Sequence, residues 1–118
     1  MEENTKNMLA GLPYRPDTEE LRAISTKAHR LSRDYNQTAD EDKEVRKAII
    51  DNLFPEHGEG VYLQGPIEVD YGKFTKLGKN FYANFNLTIL DTLCKWGHTI
   101  FVLLYLAYFT CFQGSSVL

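Results

Sequence analysis

The spacing of apolar residues changes three times along the 118-residue chain. Over residues 4–11, Met8 and Leu9 make the apolar side of a short helical turn, with Asn4 or Thr5 as its cap and Gly11 as its stop. Leu12-Pro13-Tyr14-Arg15-Pro16 is predicted to be extended, because each proline disfavours the helical region for the residue before it. Asp17-Thr18-Glu19-Glu20 then opens the clearest helix. Asp17 can accept from the free amides of the first turn, and Glu20 stands where a capping-box acid belongs. Leu21, Ile24, Ala28, Leu31 and Tyr35 step by 3, 4, 3 and 4, which is one stripe on a helix of about five turns. Asn36-Gln37-Thr38 breaks the pattern, and Thr38-Ala39-Asp40-Glu41 reads as a second capping box. Val45, Ile49, Ile50, Leu53 and Phe54 form a second stripe, ended by Pro55 and Gly58-Glu59-Gly60. Two such helices make an antiparallel pair that buries one seam and needs a further surface to finish its core.

From Val61 the texture becomes strand-like. Val61-Tyr62-Leu63, Ile67-Glu68-Val69 and Phe81-Tyr82 are short β-prone pieces cut by Gly65-Pro66, Gly72 and Gly78. Aliphatic or small residues also recur every six positions at Leu77, Ala83 and Ile89, and earlier at Val61 and Ile67. A six-residue step fits a parallel β-helix, in which each face of a coil gives one inward residue. With a break between 67 and 77, spacing alone leaves ordinary short strands open. Ile100 to Phe112 is an apolar run broken only by Thr110. A bilayer span needs about 20 apolar residues, so the run reads as a buried or aggregating segment and membrane insertion as the lesser reading.

Composition sharpens the division. The chain carries 13 Lys+Arg and 16 Asp+Glu, a net charge of -3, so nothing points to nucleic acid as a partner. After Lys95 no Asp, Glu, Lys or Arg follows, and Trp96, Phe101, Tyr105, Tyr108, Phe109 and Phe112 crowd in. Two cysteines cannot build a disulfide scaffold, which fits a reducing compartment. The acidic start Met1-Glu2-Glu3-Asn4 has no apolar run behind it, so no secretory signal is expected and the location expected is cytoplasmic. No metal-ligand spacing stands out.

Four stretches stand in a telling order: Met8-Leu9-Ala10-Gly11-Leu12-Pro13-Tyr14, Asp34-Tyr35-Asn36-Gln37-Thr38, Asp70-Tyr71-Gly72, and Asn80-Phe81-Tyr82-Ala83-Asn84-Phe85-Asn86. The last runs on into Leu87-Thr88-Ile89-Leu90-Asp91. Together they resemble the maltose/galactoside O-acetyltransferases of the hexapeptide-repeat acyltransferases. The resemblance implies an α+β fold: a helical cap (4–60), the start of a left-handed parallel β-helix (61–92), and then a divergent, non-family apolar tail (93–118). It implies transfer of an acetyl group from acetyl-CoA, as co-substrate, to a sugar hydroxyl. It further implies a homotrimer with CoA in a groove between neighbouring subunits. By position, Asn84 matches the active-site asparagine beside the acceptor hydroxyl. Asp70 and Tyr82 fall in strands lining the acceptor pocket, Asp91 at an acidic position after the Ile-Leu pair, and Asp17 in a segment that helps close the sugar site. As plain residues, Asp17 serves equally as a helix cap, Tyr82 as a packed aromatic, and Asp70 and Asn84 as turn residues.

The resemblance stops after Asp91. A hydroxyl becomes a good nucleophile only when a base takes its proton, and in the family that base is a histidine. His29, His57 and His98 stand in no matching motif. The CoA-contacting coils are not recognised, so CoA-binding residues stay unassigned. The expectation is a truncated, inactive member, or alternatively a non-catalytic module that docks on full-length acetyltransferase subunits. Fewer than about three stacked coils are also expected to leave open strand edges.

Overall fold

The computed structural model describes residues 1–91, 99–104 and 108–113, with side chains over 1–91. Three helices come first: α1 (Glu3–Leu9), α2 (Glu19–Asn36) and α3 (Lys43–Leu53). The starts of all three differ from the capping pattern read in the sequence. Asn4 and Thr5 lie inside α1, where tertiary partners claim them. Asn4 exchanges two hydrogen bonds with the Arg15 backbone, at 2.8 and 2.7 Å. The Thr5 hydroxyl donates to Glu20 at 2.7 Å. The cap of α2 is Thr18, whose hydroxyl accepts from the Leu21 amide at 3.4 Å, while Asp17 pairs with Arg15 outside the helix. Glu20 closes no capping box, because its carboxylate also takes the Glu2 amide at 2.9 Å and so ties α1 to α2. Before α3, Asp42 occupies the cap position, and its carboxylate accepts from the Ala39 amide at 2.8 Å.

The stripe of α2 is as read: Leu21, Ala28 and Tyr35 are buried, with Leu31 and Ile24 partly so. The stripe of α3 holds at Ile49, Ile50, Leu53 and Phe54 and differs only at its start. Val45 is 54% exposed, and Arg46, only 7% exposed, takes the inward position with Ile49, Ile50 and Leu53.

Short strands follow. They are β1 (Glu56–His57), β2 (Tyr62–Leu63), β3 (Ile67–Val69), β4 (Lys76–Leu77), β5 (Tyr82–Ala83) and β6 (Leu87–Leu90). They pair β1 with β4, β2 with β5 and β3 with β6, all parallel, and every partner lies twenty residues away. This is two stacked coils of three faces each. Leu77, Ala83, Ile89 and Ile67 of the six-residue series are buried. Val61 is only partly buried; Leu63, two residues on, is fully buried in its stead. The inward series is therefore Leu63, Val69, Leu77, Ala83, Ile89, with one eight-residue step around the loop Asp70–Thr75. That loop interrupts the period between 67 and 77. Coil interior and helix stripes share one core, in which Ala28, Tyr35, Ile50, Leu53 and Phe54 meet Leu63, Ile67, Leu77 and Leu87.

The outer edge of the first coil has no coil beyond it. The helices complete it with side chains. Asn36 donates to the Ile67 carbonyl at 2.8 Å and accepts from the Ile67 amide at 2.7 Å, as a neighbouring strand residue would. Ser32 accepts from the Val69 amide at 3.3 Å. Arg46 donates to the carbonyls of Leu63 and Gln64, both at 3.3 Å, and to the Thr38 hydroxyl at 2.8 Å. Tyr35, whose ring lies 4.8 Å from the Arg46 guanidinium, also donates to the Leu63 carbonyl.

Coil corners are equally constrained. Gly60 has φ +76°, and a Cβ there would stand 2.2 Å from the Asn80 side chain one coil above. Gly72 has φ +73°, and a Cβ there would meet the Leu53 carbonyl at 2.3 Å.

Beyond Asp91 the parallel order ends. Strand β7 (Thr99–Leu104) runs antiparallel along β6, with Ile89 opposite Val102, and β8 (Tyr108–Gln113) runs antiparallel to β7. The edge expected to be open is thus covered at β6. No helix among the described residues is long and apolar enough to cross a membrane.

Replacing Arg46 with Met is expected to cost about 2–4 kcal/mol in urea unfolding, because a buried carbonyl edge loses its donors. Arg46→Lys should recover little, since one ammonium cannot reproduce the planar fork.

Candidate functional site

The loop between the two coils is built around Asp91. This residue is 1% exposed. Its oxygens accept from the Tyr71 amide at 2.8 Å and from the Thr75 hydroxyl at 2.9 Å. Asp91 therefore pins the start and end of the turn that leads from the first coil to the second. Burial pushes its carboxyl above the usual carboxylate range, against the pull of those two donors.

Around the same loop the structure gathers Asp70, Asp91 and Tyr14 near Tyr71. The Tyr71 hydroxyl is pushed up to about 12, first by burial and then by the charges of Asp70, Tyr14 and Asp91. Met8 and Leu21 pack on Tyr71, and the Phe74 ring leans against it at 5.5 Å. Asp70 is partly buried, and its Oδ1 lies 3.1 Å from Nε2 of His29 on α2. That pairing was not legible in the sequence, where the two residues stand 41 positions apart.

Tyr82 and Asn84 belong to the second coil. Tyr82 is 60% exposed, and its ring stacks on Tyr62 of the coil below, with centroids 5.4 Å apart and planes 12° from parallel. Asn84 is exposed in the turn after β5, and its Oδ1 accepts from the Phe85 amide at 3.0 Å. That bond fixes which end of the amide is oxygen and leaves the Nδ2 hydrogens as donors toward solvent. Asp17 stands apart from these groups by its bonding. It is exposed in an ion pair with Arg15 at 2.9 Å, and that hydrogen bond holds its carboxyl below the usual range.

The larger of the two described cavities, about 660 Å³, lies between α3 and the first coil. Arg46, Asp51, His57 and Tyr62 are among its walls, and none of the five predicted site residues is. His57 is held there by Asp51 at 2.7 Å and by the Gly58 carbonyl at 2.7 Å. Among the described residues no cluster of three or more His, Cys, Asp or Glu could hold a metal. His98 lies outside the described residues.

Because folding raises the Asp91 pKa, the native state holds this proton more tightly than the unfolded chain. Its contribution is greatest below about pH 3.9, the ordinary carboxylate value. It falls as pH rises through the raised value, and is level above. Asp91→Asn is expected to flatten that dependence and to keep both bonds, since Thr75 can turn its hydroxyl to accept. Asp91→Ala should cost about 1–3 kcal/mol by leaving the Tyr71 amide unpaired. Urea midpoints from pH 3 to 8 check both.

Comparison with known proteins adds a family to this geometry. Residues 7–58 match the family described as maltose acetyltransferase hexapeptide capping motif. A Dictyostelium discoideum protein, named only provisionally as an acetyltransferase, is 43% identical over 86 residues, 73% of this chain and 44% of that protein. The galactoside O-acetyltransferase of Escherichia coli (strain K12) is 32% identical over 87 residues, 74% of this chain and 43% of that protein. A solved galactoside acetyltransferase in complex with coenzyme A superposes with a TM-score of 0.70 at 31% identity, covering 77% of this chain and 46% of that one. The chain thus spans less than half the length of these relatives. Residues 7–58 therefore carry the capping motif of the maltose acetyltransferases, and some three quarters of the chain is similar to galactoside O-acetyltransferases, in line with the hexapeptide-repeat family.

Proposed function

We propose that this chain carries the acceptor side of an acetyl-CoA-dependent O-acetyltransferase acting on a sugar hydroxyl of the maltose, glucose or galactoside type. The observation that carries the reading is the likeness to a galactoside acetyltransferase in complex with coenzyme A. The exposed amide of Asn84, with its N–H donors free toward solvent, supports it.

In acyl transfer the hydroxyl loses a proton as it attacks the thioester, and the carbonyl oxygen gains charge. An amide held at its oxygen by Phe85 presents fixed N–H donors. In this reading they orient the acceptor oxygen and leave its proton free to depart. Tyr82 offers an exposed ring face to the sugar, and the partly exposed Asp70 carboxylate offers an acceptor for its hydroxyls. Asp17 helps close the site, and Asp91 holds the loop that carries Asp70. Neither His29 nor His57 stands in a motif of the family, and the proton is assigned to neither. The chain alone is expected to bind acceptor without appreciable turnover.

We further propose the division 4–60, 61–92 and 93–118, acetyl-CoA as co-substrate and a cytoplasmic location. The antiparallel course of β7 and β8, in place of a third parallel strand, supports a tail outside the family pattern.

Titration of the purified chain with maltose, glucose and methyl galactoside, followed by NMR shifts, tests the proposal. At least one sugar is expected to move Asp70, Tyr82 and Asn84, with binding weakened about threefold to tenfold in Asn84→Ala. Silence toward all three sugars would sink it.

A further inference from the structure

We infer that Tyr62, through Gln64 and Asp40, is a positioning residue that holds the Tyr82 ring flat against the coil as a platform for the C–H face of a pyranose. The inference rests on the acceptor reading above and adds residues to it. Tyr62 lies directly beneath Tyr82 in the β2–β5 register. The 5.4 Å centroid separation with near-parallel planes is an offset stack, the favoured arrangement for two aromatic rings. One face of Tyr82 is therefore covered, yet the residue remains 60% exposed.

What fixes Tyr62 is a polar chain. Its hydroxyl donates to Gln64 Oε1 at 2.7 Å, and Gln64 Nε2 donates to Asp40 Oδ1 at 3.0 Å. The amide of Gln64 can face only one way, since the carboxylate accepts and the phenol donates. Asp40 lies in the turn between α2 and α3, 3.6 Å from the Arg46 guanidinium. The ring plane under the sugar is thus set from the helical cap. An exposed tyrosine on a two-residue strand would otherwise lose rotamer freedom on binding; stacking removes that cost beforehand.

The test uses the whole chain. Affinity for maltose and methyl galactoside is measured by NMR titration for the native chain, Tyr62→Ala, Tyr62→Leu, Tyr62→Phe and Tyr82→Ala, and Tyr82 ring-proton shifts are read without sugar. Tyr62→Ala and Tyr62→Leu are expected to weaken binding about threefold to tenfold and to erase the ring-current shift at Tyr82. Tyr62→Phe keeps the stacked ring but loses the bond to Gln64, so it should fall between the native chain and Tyr62→Leu in both affinity and shift. Leu fills the space of the ring, so an unfolded alanine variant does not decide the matter. If Tyr82→Ala abolishes binding while Tyr62→Leu leaves it unchanged, the positioning role is overturned and the acceptor reading stands. If the native chain binds neither of these sugars nor glucose, the acceptor reading fails and this inference with it; if it binds as well without Tyr82, this inference alone fails.

Discussion

The first coil of a stacked-strand solenoid has a neighbour on one side only, and in this protein two helices stand in for the other. Unpaired backbone groups beside an apolar core are costly, so their partners govern whether the stack can begin at all. Asn36 is suited to the task because one amide side chain supplies both the donor and the acceptor that Ile67 needs. Arg46 supplies several N–H groups from one planar head to the carbonyls of Leu63 and Gln64. A helix pair joined only by apolar contact would have covered the core and left this edge bare. The cap is a terminus for the strands as much as a lid on the interior.

Coil length then governs the outer surface. With partners twenty residues apart, each side chain stands over its counterpart one coil below. Lys76 comes over Glu56 at 3.1 Å and Lys79 over Glu59 at 3.2 Å. Such exposed pairs contribute little to stability, but they agree in register. Tyr82 over Tyr62 follows the same rule. The groups assigned to the acceptor hang on this stacking. Asp91, from the end of the second coil, holds the loop that leaves the first, and Asp70 enters that loop against His29 of α2.

The stripe of α2 was legible because a long helix repeats one period often enough to fix its phase. The shorter stripe of α3 misled only at its start. Val45 looked inward by type, whereas Arg46 goes in because carbonyls and a tyrosine ring await it there. The six-residue period was visible yet offset at Val61, because an eight-residue step around Asp70–Thr75 breaks it and Asp91 holds that step in place. Helix caps were misassigned where side chains had better tertiary partners, as with Asn4, Thr5 and Glu20.

By itself the sequence determined the order of segments, the amphipathic helices, the six-residue texture and, through the run from Asn80 to Asp91, the family likeness. Each of these is a local pattern that neighbours along the chain express together. Tertiary structure alone decided that Arg46 is buried, that Tyr62 lies under Tyr82, that His29 meets Asp70 and that Asp91 faces inward. Those depend on which distant group completes a hydrogen bond or a stack, and that choice is made only when the coils close on the cap.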